Sequence, residues 1–186
     1  MKAILKWPGL VLGVLAAGLG IYLAAIQMTG NFAVVVPGEV YRSNQPSPAD
    51  IAAYADRYKI RTIVNLRGRD DRAGWYRQEA AAAARHGVTL IDFPMQADRR
   101  LDAEAADKLV ATLRDAPRPL LIHCRSGADR TGLASVIYLA RIADLDEETA
   151  ERQLSVRYGH IGIPYLSPTY AMDESWEDME AAHTGG

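Results

Sequence analysis

Cysteine is almost absent from this chain: 186 residues contain one, Cys124. A single thiol excludes an internal disulfide, and no second cysteine can resolve an oxidised one, so redox control would need a thiol from outside. Composition is therefore silent on the redox compartment. No cluster of His, Asp and Glu at metal-ligand spacing occurs, and His86, His160 and His183 are scattered, so neither a metal nor another cofactor is expected. An excess of positive charge is also missing. The formal net charge is −2 and the pI about 6.1, which supplies no long-range field for nucleic acid. Arginine far outnumbers lysine, and there are no internal repeats or low-complexity tracts. With 49% hydrophobic residues, the chain has enough for one domain with a real core plus an extension.

One hydrophobic run is long. Lys2 and Lys6 precede Trp7-Pro8-Gly9, and Leu10 to Ile26 then carries no charge. As a helix that run spans about 25 Å, the short end of a membrane segment. A secretory signal peptide is the rival reading, although Leu23-Ala24-Ala25 is a poor cleavage site. Either way, leading lysines with no basic cluster following closely send the remainder outward. Residues 1–30 are thus expected to be a transmembrane anchor or signal peptide, and residues 31–186 one domain. The preferred location is the inner membrane, single-pass with the domain in the periplasm; secretion to the periplasm is the alternative.

After this run the pattern alternates. Phe32–Val36 and Glu39–Ser43 read as strands parted by Pro37-Gly38. Ser47 and Pro48 start a helix to about Tyr58. Strands are expected at Lys59–Leu66, Val88–Phe93 and Pro119–Ile122. Helices are expected at Trp75–His86 (stopped by Gly87), Leu101–Arg114, Thr131–Ala143, Asp146–Tyr158 and Thr169–His183. This order indicates an α/β fold with a central, mostly parallel sheet flanked by helices. A ligand site then belongs beyond the carboxyl ends of the strands.

Cys124 falls at that place. The strand Pro119–Ile122 feeds His123-Cys124-Arg125-Ser126-Gly127-Ala128-Asp129-Arg130-Thr131-Gly132, and a helical pattern leaves it. A thiol beside a helix N-terminus and cations gains thiolate character. The loop N–H groups from Arg125 to Arg130 can bind phosphoryl oxygens. Gly127 permits the tight curl, and the Arg130 guanidinium offers a bidentate fork. Thr131 places a hydroxyl near the sulfur, and His123 can brace the loop from beneath.

This segment resembles the signature of the cysteine-dependent protein tyrosine and dual-specificity phosphatases, with every fixed position filled. The resemblance covers about Val34 to Met172 and points to the atypical bacterial dual-specificity branch. It implies a three-layer phosphatase fold and hydrolysis of a phosphomonoester through a cysteinyl phosphate, with Cys124 as nucleophile and Arg130 as transition-state partner.

Such a reaction needs a proton donor for the leaving oxygen. Asp98, in the Pro94–Arg100 loop, matches the position of the family's acid loop. Asp129 is the competitor, because an Asp-Arg-Thr ending resembles the myotubularin lipid phosphatases; it can equally hold a neighbouring loop. Asp92 reads as structural and Asp102 as a helix start. Arg42 is open between substrate binding and pairing with an acid. Arg67, Arg69 and Arg72 are cleft-lining candidates, and Gln153–His160 looks family-like without a chemical role. Phosphorylated proteins are the expected substrates, with phosphoinositides or inositol phosphates as the alternative. A rhodanese-type sulfurtransferase fits less well, since five residues separate Cys124 from Arg130 and sulfur-sized loops are shorter. A phosphate-binding pseudophosphatase does not require the intact Cys124, Arg130 and Asp98.

Overall fold

The computed structural model of the chain describes residues 7–184; Lys2 and Lys6 lie outside the described residues. The chain opens with helix α1 (Trp7–Met28), followed by strands β1 (Ala33–Val36) and β2 (Val40–Ser43) and helix α2 (Pro48–Arg57). Then come β3 (Thr62–Asn65), α3 (Gly74–Arg85), β4 (Thr89–Asp92), α4 (Ala103–Asp115), β5 (Leu120–His123), α5 (Asp129–Arg141), α6 (Glu147–Glu151) and α7 (Ala171–Thr184). The sheet order is β1-β2-β5-β3-β4. Only the β1–β2 pair is antiparallel, Ala33 opposing Arg42 and Val36 opposing Val40; β2–β5, β3–β5 and β3–β4 run parallel.

Local chemistry sets several boundaries. Ser47 and Asp50 form a reciprocal capping box at the start of α2. The carboxylate of Asp102 accepts from Ala105 N–H to cap α4, and Asp146 does the same through Thr149. The two faces of the sheet follow from alternation. Leu121 and Ile63 pack with Tyr41, Ile51, Ala82 and Ala83 under α2 and α3. Their neighbours Leu120, Ile122 and Val64 pack with Leu109, Leu113, Leu133 and Ile137 under α4 and α5. Three layers result, with β5 in the middle of the sheet and all four of its residues buried.

Two expectations need correction. The helix foreseen over Asp146–Tyr158 is broken: α6 ends at Glu151, and only Val156–Tyr158 resumes as a 3-10 turn. Polar partners divert its backbone, since Arg42 takes the carbonyl of Gln153 and Ser155 takes that of Arg152. Helix α5 begins at Asp129, two residues earlier than foreseen, so Asp129 and Arg130 lie in its first turn.

Helix α1 stands apart from the layers. Its Gly9–Met28 portion has a mean hydropathy of 2.3 with none of its apolar window buried, long and apolar enough to cross a membrane. Its junction with the domain is firm. Phe32 stacks on Tyr54 and Tyr58 at centroid distances of 4.5 and 4.8 Å.

Leu113 is fully buried in the α4 layer. Leu113→Ala is expected to cost about 2–5 kcal/mol of stability, read as a lower urea midpoint with an unchanged slope.

Candidate active site

Strand β5 delivers Cys124 to the base of a loop in which it is only 1% exposed. Around it, three consecutive carbonyls are bound from outside, and that of Ala128 accepts the first helical bond of α5, from Gly132 N–H at 2.8 Å. Gln45 N–H donates to Arg125 O at 3.3 Å. The side-chain amides of Gln27 and Asn31 both donate to Ser126 O at 2.9 Å. Arg42 Nη2 donates to Gly127 O at 2.6 Å and more weakly to Ala128 O at 3.4 Å. With the carbonyls held outward, the N–H groups are left for the concave side. Those of Arg125, Ser126 and Gly127 have no acceptor among the described residues, and that of Ala128 rests on Ser126 Oγ at 3.3 Å. This arrangement is an anion nest continued by the N-terminus of α5.

Gly127 is required by geometry. Its φ is +71°, and a Cβ there would lie 2.6 Å from Ser43 O. Gly132 serves a different purpose: a Cβ would lie 2.6 Å from Leu154 Cδ1, so its absence lets the 153–154 turn close against α5.

Arg42 corrects both sequence readings of it. It touches neither an acid nor the open cleft; it is fully buried, and burial lowers its pKa to about 10. Nη1 donates to Gln153 O (2.6 Å) and Gln153 Oε1 (2.9 Å), and the guanidinium lies 3.8 Å from the centroid of the Tyr158 ring. The Gln153–His160 segment thereby gains a role as the outer brace of the loop.

Arg130 is fixed by two loops, donating from Nη1 to Met95 O at 3.0 Å and Leu66 O at 3.3 Å. Its Nε and Thr131 Oγ1 are buried without a hydrogen-bond partner among the described residues. Beneath Cys124, His123 Nε2 lies 2.6 Å from Glu79 Oε1, both side chains fully buried. Glu79 accepts from Gln45 (2.9 Å), and Gln45 accepts from Arg67 (2.6 Å), which lies over the Trp75 ring at 3.4 Å. Burial, then the nearby charges of Arg130 and Arg125, lowers the pKa of Arg67. Arg69 instead turns to Asp71 at 2.8 Å. Glu79 escaped sequence reasoning; its signal was an acid on the buried stripe Tyr76, Glu79, Ala82, Ala83 of α3.

The aspartates separate by environment. Asp92 is tied to Asn65 (2.8 Å) and Tyr76 (2.6 Å). Asp129 is bound by His160 Nδ1 at 2.8 Å, while His160 Nε2 reaches Asp173 of α7 at 2.9 Å. Asp98 is exposed and without a hydrogen bond among the described residues, three positions beyond the Met95 that holds Arg130. Its loop is tethered to α7, because Arg100 pairs with Glu174 and Asp178, and Leu101 N–H donates to Ser175.

Burial works against charge on His160, but the two carboxylates outweigh it and raise its pKa to about 9. A pKa raised from the ordinary imidazole value of 6.5 gives stability that is complete below that value and lost as pH rises through about 9. Unfolding midpoints are therefore expected to fall across that window, and His160→Asn is expected to flatten the fall.

The sequence model of the tyrosine phosphatase family matches residues 23–153. The dual specificity protein phosphatase TpbA of Pseudomonas aeruginosa is 33% identical over 117 residues, 62% of this chain and 49% of the relative. The chain thus spans about half the length of that relative. A crystal structure of P. aeruginosa TpbA aligns with a TM-score of 0.55 at 26% identity, covering 82% of this chain and 92% of that one. The core catalytic domain of the S. cerevisiae PP-IP phosphatase SIW14 gives 0.61 at 18% identity over 83% and 93%, a likeness of fold. The matched span takes in the end of α1, the whole sheet and the loop from Cys124 to Arg130, and on that ground the chain belongs to the tyrosine phosphatase family.

Proposed function

We propose that this chain is a phosphomonoester hydrolase of the protein tyrosine or dual-specificity type, working through a cysteinyl phosphate. The observation that carries the reading is the outward binding of the carbonyls from Arg125 to Gly127 around a buried Cys124. In the first step Cys124 Sγ attacks phosphorus and the ester P–O bond breaks. Loop N–H groups and Arg130 hold the three non-bridging oxygens, and Asp98 gives its proton to the leaving oxygen. In the second step Asp98 takes a proton from water as the water oxygen attacks phosphorus. The P–S bond breaks, its electron pair returns to sulfur beside Thr131, and inorganic phosphate leaves.

Asp98 is assigned the acid because its carboxylate is exposed and uncommitted, whereas Asp129 is engaged by His160. Protein substrates, with tyrosine or dual specificity, are supported by the kinship with TpbA, a dual specificity protein phosphatase. Inositol phosphates are the second reading, favoured by the proximity of Arg67, Arg125 and Arg130. The location that goes with this reading is an uncleaved single-pass anchor in a bacterial inner membrane with residues 31–186 in the periplasm; its support is that α1 is long and apolar enough to cross a membrane.

Cys124→Ser is expected to abolish phosphate release from a phosphotyrosine peptide. Asp98→Asn is expected to lower kcat on phenyl phosphate, which has a poor leaving group, by about 10²–10⁴-fold, while Asp129→Asn retains most of it. Full kcat for Asp98→Asn on that ester overturns the assignment.

A further inference from the structure

Strand direction fixes where α1 leaves the domain. β1 is antiparallel to β2, so Ala33, at its start, lies opposite Arg42, at the carboxyl end of β2. That edge is where β5 turns into the Cys124 loop. Helix α1 joins β1 through Thr29–Phe32, so it departs from the catalytic face.

The departure is rigid. Asn31 donates to Ser126 O and to Tyr158 O (2.8 Å), Gln27 donates to Ser126 O, and Tyr22 donates to Arg157 O at 2.6 Å. Gly159 lies against Leu23 and Ile26. The last turns of α1 are therefore already in contact with the domain. The 20 residues of the apolar stretch Gly9–Met28 span about 30 Å as a helix, which leaves no spare turn with which to hold the domain away from a hydrocarbon layer of about 30 Å.

Exposed apolar groups lie on the same face. The 156–159 turn that touches α1 leads within a few residues to Ile163-Pro164-Tyr165-Leu166. There Tyr165 is wholly exposed and Leu166 is 79% exposed, and Tyr165 is held at a φ of +64°, a costly conformation for a bulky residue. This tip borders the loop of Asp98 in a shared cavity. Met28 and Val156, beside the exit, are exposed as well. Exposed arginines on the face, Arg125 and Arg157, suit anionic headgroups.

We propose that the catalytic face docks onto the bilayer that holds α1, with the Ile163–Leu166 tip inserted, and that the substrate is a phospholipid with a terminal phosphomonoester. The inference rests on the phosphatase reading and names its substrate class. Water and the lipid ester give a lipid alcohol and inorganic phosphate by the two steps above.

The test uses the full chain reconstituted in phosphatidylcholine vesicles containing phosphatidic acid, with a soluble phosphotyrosine peptide and a lipid-tethered phosphotyrosine peptide as parallel substrates. Phosphate release from phosphatidic acid is expected. The double variant Tyr165→Ser, Leu166→Ser is expected to slow it at least about tenfold without changing the rate on the soluble peptide. Hydrolysis of the soluble peptide with phosphatidic acid untouched overturns this inference alone, as does a preference for the tethered peptide over the lipid or an unchanged lipid rate in the double variant. No hydrolysis of any substrate by the wild type overturns the phosphatase reading itself.

Discussion

Three consecutive peptide carbonyls, from Arg125 to Gly127, are bound on the outside of the loop by Gln45, Gln27, Asn31 and Arg42. A peptide unit whose C=O is fixed on one side presents its N–H on the other, and a short loop treated so along its length becomes a cup of donors. Everything else around Cys124 depends on that polarity. Arg130 can be aimed only because its loop does not rotate, and Gly127 supplies the one backbone conformation that keeps the curl tight. The bracing donors arise before β1, at the end of β2 and just after it, all distant in sequence from the loop they hold.

Arg42 shows how the charge balance works. A buried guanidinium without a carboxylate is costly unless its donors are used and its charge is delocalised. Here its two terminal nitrogens meet the carbonyls of Gly127 and Gln153 and its plane meets the face of Tyr158, while Nε is buried without a hydrogen-bond partner among the described residues. The positive charge stays unneutralised close behind the nest, where an anion benefits from it. His160 makes a parallel link on the other flank, joining Asp129 of α5 to Asp173 of α7. Because α7 also tethers the Asp98 loop through Arg100 and Ser175, one helix sets both aspartates.

Most of the fold was legible because its signals are local. Ser47-Pro48 marks a helix start, Gly87 a helix stop, and the β-branched run in Lys59–Leu66 a strand, although only Thr62–Asn65 pairs. Cys124, Gly127, Arg130 and Thr131 declared themselves by spacing and by their strand-to-helix setting. The braces did not. Arg42 and Gln153 are far apart in the chain, and nothing in either neighbourhood announces the other. Glu79 was hidden by the alanines around it, whose small size suggested a helix without suggesting that an acid lay on its buried face. The break after Glu151 was equally invisible, since it is imposed by Arg42 taking a carbonyl that a longer helix would have used.

The distribution of those braces bears on how the ten-residue signature could be moved. Transplanted alone onto another strand-to-helix junction, His123 to Gly132 would carry its sulfur, its glycines and its guanidinium. The carbonyls of Arg125 to Gly127 would then find only water, and the loop would be free to turn its peptides over. The portable unit is larger and discontinuous: the residues from Gln27 to Gln45, the signature itself, and the segment from Gln153 to His160. A working graft of this site would have to bring all three pieces, including the final turn of an apolar helix.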